Sequence, residues 1–418
     1  MLPALILLVV LALFGLPLFA VLGAVSLLYA HHSGLDPALL IIELNRLATS
    51  PNLTTIPLFT FAGVVLASGG APQRLIRLFN ALLGWLPGGL AIVAIAACAF
   101  FTSFSGASGV TILALGGLLY PVLNKVHYPE RFNLGLLTTS GSLGLLFPPS
   151  LAILLYGIVS GVNIDQLFLA GIVPGMVLMF MLGIYSAIMG RRFNVRHHTF
   201  AWHVALPAVR SAFGDILLPI LIVVGIFGGY VTVSEAAACT ALYVLVLEAL
   251  VHKSIALRQQ LTELLADTAV LVGSILIILG VAMGLTNLMI DAQLPMTLLE
   301  WMQASVDSQL KFLIVLNLFL LAVGAMMDIF SATVVIVPLL LPLAQRFGVD
   351  PVHLGIIFLA NLEIGYSTPP VGINLFIASQ RFEKPVLSLF RATLPFLGLM
   401  LAWLMVVTYV PELSLWWR

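Results

Sequence analysis

Apolar runs of about twenty residues, the length a spanning helix needs, recur along the whole chain. They cover Leu2–Ala30, Leu90–Val122, Leu134–Ser160, Leu167–Gly190, Leu206–Tyr230, Ala236–Val251, Thr268–Ile290, Phe312–Leu343, Leu354–Ser379 and Thr393–Val410. Alternating strand patterns of about ten residues are absent, which argues against an outer-membrane barrel. No soluble domain or long linker intervenes. The pattern predicts an all-α polytopic membrane protein in which residues 1–418 form one transmembrane domain. Leu2–Ala30 reads as a retained span, because no small-residue cleavage site and polar mature domain follow it. With Pro17 inside, it is one long kinked helix or two short ones. Gln73–Leu83 and Pro295–Met302 are amphipathic instead, and are predicted to lie at the interface as arms.

Composition sharpens this picture. Of the 418 residues, 61% are hydrophobic and 8% charged, against roughly 25% charged in an ordinary soluble domain. A soluble enzyme, a nucleic-acid binder and a disulfide scaffold are excluded. Cys98 and Cys239 both lie in apolar runs and are expected to be free buried thiols. Lys and Arg in the loops set the sidedness. With Arg191, Arg192 and Arg196 placed in the cytoplasm, all but four of the seventeen basic residues fall inside, the exceptions being Arg46, Lys311, Arg346 and Arg418. The acidic positions Asp165, Asp291, Glu300 and Asp307 fall outside.

The chain also repeats itself. Pro121 and Pro342, Gly144 and Gly365, and Pro148-Pro149 and Pro369-Pro370 are each 221 residues apart. Gly135 and Gly355 differ by 220, which one loop deletion explains. The repeats span about 1–190 and 205–412. The first Gly-x-x-x-Pro-Pro helix runs inside to outside and the second outside to inside, with an odd number of crossings between them. Inverted-topology repeats of this kind belong to secondary transporters.

A Pro-Pro pair removes two backbone donors and releases nearby carbonyls. In lipid, such a break is tolerated only where it faces protein or a cavity. Gly141, Gly144, Phe147, Pro148 and Pro149 are therefore expected to form one unwound stretch, and Gly365, Thr368, Pro369 and Pro370 its partner. Free carbonyls with Ser and Thr hydroxyls are hard oxygen ligands suited to Na⁺; a plain proline kink with a packing role is the alternative. Each broken helix follows a long run interrupted by small or polar residues. Residues 102–109 interrupt the first, a predicted re-entrant hairpin at about 89–122, and residues 324–331 the second, at about 311–343. Half-helix N-termini at such tips favour an anionic substrate group. Asp328 lies at the second tip, as a functional carboxylate or a helix cap. Glu363 is a coupling or substrate-site group, or a buried carboxylate paired to a hydroxyl. Glu235, after Ser234 near the outer end of a span, reads as a cap. The histidines fall mostly at loops and span ends, so a histidine proton relay is disfavoured.

These residues resemble a known family. Ile56-Pro57-Leu58-Phe59, Pro87-Gly88-Gly89, Ser105-Gly106, Phe147-Pro148-Pro149-Ser150, Ala170-Gly171-Ile172-Val173-Pro174-Gly175, Met327-Asp328 and Thr368-Pro369-Pro370-Val371-Gly372 are similar to the large permease subunit of the tripartite ATP-independent periplasmic (TRAP) transporters. The likeness covers nearly the whole chain. Departures are Thr232-Val233-Ser234, where the family commonly has Thr-Pro-Thr, and Ala107, where it often has Ser.

The resemblance implies an elevator-type, Na⁺-coupled importer of carboxylate solutes in the bacterial inner membrane, with no organic cofactor. It implies a small four-helix membrane subunit and a periplasmic substrate-binding protein as partners. Carried over, the first Na⁺ site uses Ser103 or Ser105, Gly144, Phe147 and Pro148. The second uses Gly324, Asp328, Gly365, Thr368 and Pro369, and the solute lies near Ser108 and Thr333.

Two other classes compete with this one. Gly106-Ala107-Ser108-Gly109 matches the Gly-x-Ser-Gly of intramembrane serine proteases, which need a histidine within reach of the serine, and His353 is the nearest candidate. A stand-alone ion-coupled anion transporter or antiporter would have the same topology without partners. The expectation is a transporter and not an enzyme.

Overall fold

The computed structural model describes residues 16–34, 51–126, 128–195, 200–291 and 308–418, with scattered single positions elsewhere. The predicted arm at Pro295–Met302, and Arg46, Arg196, Glu300 and Asp307, lie outside these residues. The described elements are helices throughout. Six are long and apolar enough to cross a membrane, or up to nine spans if each of three bent pairs counts as one.

Along the chain, α1 is Leu18–Ser33, α2 Thr55–Ser68, α3 Ala71–Leu83 and α4 Gly89–Ser105. Helix α5 comprises Ser108–Thr111, a π-helical turn Ile112–Gly116 and Gly117–Lys125. Helix α6, Glu130–Ser140, is followed by a 3₁₀ turn at Leu143–Leu146, then α7 (Leu151–Ser160) and α8 (Ile164–Arg192). The second half holds α9 (Trp202–Ser211), α10 (Phe213–Phe227), α11 (Val233–Val246, with a π turn at Leu247–Val251) and α12 (Leu257–Asp291). It ends with α13 (Gln309–Met326), α14 (Ile329–Arg346), α15 (Pro351–Gly365), α16 (Ile373–Phe382) and α17 (Val386–Tyr409).

Two groups of helices emerge from the packing. Helices α1, α2, α10, α11 and α12 pack on one another and form a scaffold. The remaining group interleaves the two repeats: α6 lies along α17, α15 against α13 and α8, α7 along α14, and α16 on α5. Its apolar core includes Tyr156, Phe168, Phe358, Phe396 and Trp403, all buried. The Trp403 indole donates to the Pro174 carbonyl at 2.9 Å and so ties α17 to α8. Pro174 and Pro395 lie inside these two helices at the same spacing of 221, so the repeat extends beyond the breaks. A second, smaller apolar cluster joins the groups: Leu22, Ile56, Ile275 and Leu279 of the scaffold meet Leu155 and Val334.

Gln73–Leu83 falls within one helix, α3, which turns 73° away from α2. Sequence and structure differ at Leu206–Tyr230. This run is not one straight helix; α9 and α10 meet at 60°. The reason is long-range. Asp215 in the first turn of α10 pairs with Arg74 of α3, and α9 packs along α3. Cys98 is a buried free thiol as expected, whereas Cys239 is free but exposed. Glu235 is a cap as expected. Thr232 Oγ1 accepts from the Glu235 N–H at 3.3 Å, and the Glu235 carboxylate accepts from the Thr232 N–H at 2.7 Å.

Candidate functional site

Both Gly-x-x-x-Pro-Pro segments are broken. After α6 the chain unwinds at Gly141, makes the single 3₁₀ turn, extends at Phe147 and restarts as α7, with Ser150 as its cap. After α15 it turns through residues 366–371 and restarts as α16 behind Gly372, which sits in the left-handed region at φ 54°. Both Pro-Pro bonds are cis.

Each break presses on a helix–turn–helix unit from its own repeat. A Cβ on Gly144 would lie 2.3 Å from the Ala99 carbonyl oxygen and 2.4 Å from the Ser103 nitrogen of α4. A Cβ on Gly365 would lie 2.3 Å from the Gly324 carbonyl carbon and 2.7 Å from the Ala325 nitrogen of α13. Ser103 and Gly324 are themselves 221 residues apart. The same backbone contact is therefore built twice.

At the first tip, Gly106 turns the chain at φ 64°. The Thr102 hydroxyl lies 2.8 Å from the Cys98 and Gly141 carbonyl oxygens and 2.7 Å from the Thr111 hydroxyl. One hydroxyl proton cannot serve all of these acceptors. Ser105 Oγ is a further 3.5 Å from Thr111 Oγ1. The tip is thus rich in oxygen and poor in protons, a composition that suits a hard cation. Ser103 points elsewhere, its hydroxyl donating to the Phe100 carbonyl at 2.8 Å. Phe147 packs its ring against Gly175 of α8. Ser108 donates to Asn374 Oδ1 at 2.7 Å, and Asn374 Nδ2 donates to the Thr138 carbonyl at 3.4 Å, so the tip, α16 and α6 are joined.

At the second tip, Asp328 is the cap of α14. Its carboxylate accepts from the Phe330 and Ser331 N–H groups at 2.9 and 3.0 Å and from the Ser331 hydroxyl. The Ile329 N–H donates to the Tyr366 oxygen at 2.6 Å. The Ala325 carbonyl accepts from Val371 and Gly372 at 3.0 and 3.2 Å. Thr333 and Thr368 donate back to the Ile329 and Ile364 carbonyls. Glu363 is fully buried, at 0% exposure, and neither carboxylate oxygen has a hydrogen-bond partner. Of the two readings of Glu363, the hydroxyl-paired carboxylate is not the arrangement found. Asn361 Oδ1 and Ser367 Oγ near the same break, and Ser140 Oγ at the first, are likewise buried and unpartnered.

Sequence reading put Thr102 in the first tip without making it a ligand, and missed Thr111, Tyr366 and Asn374, and also the buried acids Asp215 and Glu248. Each is a polar residue inside an apolar run, and that was the available signal. Ser108 and His353 do not form a protease pair. The His353 ring binds Ser414 Oγ at 2.5 Å and the Thr408 carbonyl at 3.3 Å, while Ser108 is bound to Asn374.

An interleaved, repeated helical bundle with two oxygen-lined breaks at its centre defines a polytopic membrane permease. The family model described as "Tripartite ATP-independent periplasmic transporter, DctM component" matches residues 5–413. The chain belongs to this family, as a TRAP transporter large permease. It is 34% identical to the C4-dicarboxylate TRAP transporter large permease protein DctM of Vibrio cholerae over 430 residues, covering 96% of this chain and 94% of that one. The protein of the same name from Rhodobacter capsulatus is 35% identical, with 87% and 86% covered. The ectoine TRAP transporter large permease TeaC of Halomonas elongata is 29% identical, with 98% and 96% covered. In fold, the chain is similar to the YdaH transporter of Alcanivorax borkumensis, with a TM-score of 0.64, 15% identity and 99% and 98% coverage.

Proposed function

We propose that this chain is the membrane pathway of a Na⁺-coupled importer of carboxylate solutes in the bacterial inner membrane. It works with a small four-helix membrane subunit and a periplasmic substrate-binding protein. The observation that carries this reading is the doubled contact of Gly144 on Ser103 and Gly365 on Gly324, with unpartnered oxygens beside both. Na⁺ closing each oxygen-rich break would bring hairpin tip and broken helix together and assemble the anion site between them, near Ser108 and Thr333. Asp328 and Glu363 supply negative charge on the ion side; Glu363, with no donor in reach, suits a cation better than the carboxylate of the solute. The two helix–turn–helix units act as re-entrant hairpins opening to opposite faces. With the broken helices they form a block, built from both inverted repeats, that moves against the scaffold as an elevator and carries the solute site across the membrane. The C4-dicarboxylate named for the Vibrio and Rhodobacter relatives supports the carboxylate assignment.

The test is uptake into proteoliposomes with a panel of carboxylates. The chain is reconstituted with its small subunit, and the binding protein is supplied outside. Uptake of a C4-dicarboxylate should require an inward Na⁺ gradient and the binding protein. Equal uptake with K⁺ replacing Na⁺ would overturn the coupling. Uptake by the chain alone would overturn the partner requirement.

A further inference from the structure

Helix α3 is the only covalent link between scaffold helix α2 and the first hairpin, and its two ends are held by different physics. At the scaffold end, Arg74 is buried at 4% exposure between two buried acids from two scaffold helices. Its guanidinium grips Asp215 of α10 through Nε at 2.7 Å and Nη2 at 2.8 Å. It also binds both oxygens of Glu248, in the π turn after α11, with Nη1 at 3.3 Å and Nη2 closer. Glu248 accepts in addition from the Gly70 N–H at 3.1 Å and from the Ser254 hydroxyl. One guanidinium is thus shared by two carboxylates.

The bend before α3 contains Gly69 and Gly70, a composition that would ordinarily suggest a swivel. The structure assigns these glycines another purpose. A Cβ on Gly69 would lie 2.5 Å from a Glu248 carboxylate oxygen, and one on Gly70 would lie 2.8 Å from the Arg74 guanidinium. They let backbone approach the ion cluster. Swinging α3 about this bend would strand two carboxylates in an apolar interior, a costly outcome for a buried pair. Toward the hairpin, among the described residues, α3 is held by apolar packing alone: it lies along α4, with the Phe79 ring edge-on to Phe100 at 6.2 Å, a contact that can slide without stranding a charge. There the chain passes through Gly84, Pro87 and Gly88, and the Gly88 backbone rests on the Gly190 backbone of α8, 2.5 Å from where a Gly190 Cβ would be.

We propose that Arg74 is a positioning residue of the transport cycle. With Asp215 and Glu248 it rivets α3 to α10 and α11, so that the arm stays with the scaffold and the chain pivots at residues 84–89. The proposal rests on the elevator reading above, because it specifies which end of the arm is fixed while the block moves. Buried ion clusters contribute little net stability compared with apolar replacements, so geometric specification is the role such a cluster fits.

Distances between spin labels decide it. In the full chain with Cys98 and Cys239 replaced by alanine, one pair joins Arg77→Cys on α3 to Val246→Cys on α11. The other joins Arg77→Cys to Ile188→Cys on α8. All three positions are exposed. Adding Na⁺ and a C4-dicarboxylate should shift the second distance and leave the first unchanged. A shift in the first distance would overturn the proposal. If neither distance moves, the elevator reading itself fails and the proposal falls with it. As a functional arm, Arg74→Met with Asp215→Leu and Glu248→Leu removes all three charges together, leaving none stranded. This variant should transport about tenfold more slowly with unchanged half-saturation for Na⁺, and its first distance should broaden. Arg74→Lys, which keeps the charge but loses the fork, should fall between. Normal turnover with a narrow first distance in the triple variant sinks the assignment.

Discussion

Gly365 has no room for a side chain, and its nearest neighbours are backbone atoms of Gly324 and Ala325 at 2.3 to 2.7 Å from a Cβ position. Backbone cannot step aside as a flexible side chain can. Gly365→Ala is therefore expected to destabilise the protein by about 1–3 kcal/mol, read as a lower unfolding midpoint in detergent, and to abolish Na⁺ stimulation of uptake. Gly183→Ala on α8 is the control: nothing lies within 4 Å of its Cβ position, so stability should hold or rise slightly. Asp328 separates two roles that the sequence left open. Asn preserves an N-cap nearly as well as Asp but removes the charge. Asp328→Asn should therefore insert and melt normally while losing Na⁺-stimulated uptake. Unchanged Na⁺ dependence would leave the cap as its whole function. Position alone marked Asp328 and Glu363 for attention. It could not tell that one carboxylate is held by the first turn of α14 and the other has no partner, because both facts depend on side-chain rotamers and on packing from other helices.

Helix ends were legible where a local cause ends them. The Pro-Pro pairs announced the two breaks, since a proline lacks the N–H that a continuing helix needs. The start of α11 was legible for a similar reason, and it offers a clean test. Thr232→Val removes the side-chain acceptor for the Glu235 N–H, and should cost about 1 kcal/mol without changing the Na⁺ requirement, measured by thermal unfolding and uptake in parallel. The α9–α10 break was not legible. Nothing between Leu206 and Tyr230 ends a helix at Ala212; Pro207 lies inside α9 and Pro219 inside α10. The cause is Arg74, more than a hundred residues earlier in the chain, which fixes the first turn of α10 through Asp215. Apolar periodicity records which face of a helix is buried, and it carries no information about which distant charge will hold that helix in place.

For the whole molecule, the internal spacing of 221 residues identified pairs that the fold then brings into equivalent contacts: Gly144 with Ser103, and Gly365 with Gly324. Interleaving was beyond the sequence, because spacing within a chain does not say that α6 will pack on α17 or α7 on α14. What the bundle turns outward is equally informative. On α8, Met176, Phe180, Ile184 and Ile188 recur every four residues and are 60%, 69%, 45% and 56% exposed. In water such a stripe would be an aggregation site; in a bilayer it is the lipid-facing side of a span. Helix α8 has 29 residues, about 43 Å at 1.5 Å per residue, so it exceeds a hydrocarbon core of about 30 Å and reaches both interfaces. Phe180 lies near its middle, and Ile188 lies one turn from the basic end at Arg191 and Arg192. Depth in the membrane therefore predicts unequal outcomes for the same substitution. Phe180→Arg should cost about 2.5–3.5 kcal/mol of insertion free energy and lower the yield of membrane-inserted protein. At Ile188→Arg the guanidinium can reach the headgroups along its own stem, so the yield should be close to normal. Equal losses at the two positions would mean that α8 does not cross the bilayer along its length. The placement of the arm, the hairpins and both breaks relative to the membrane would then have to be redrawn.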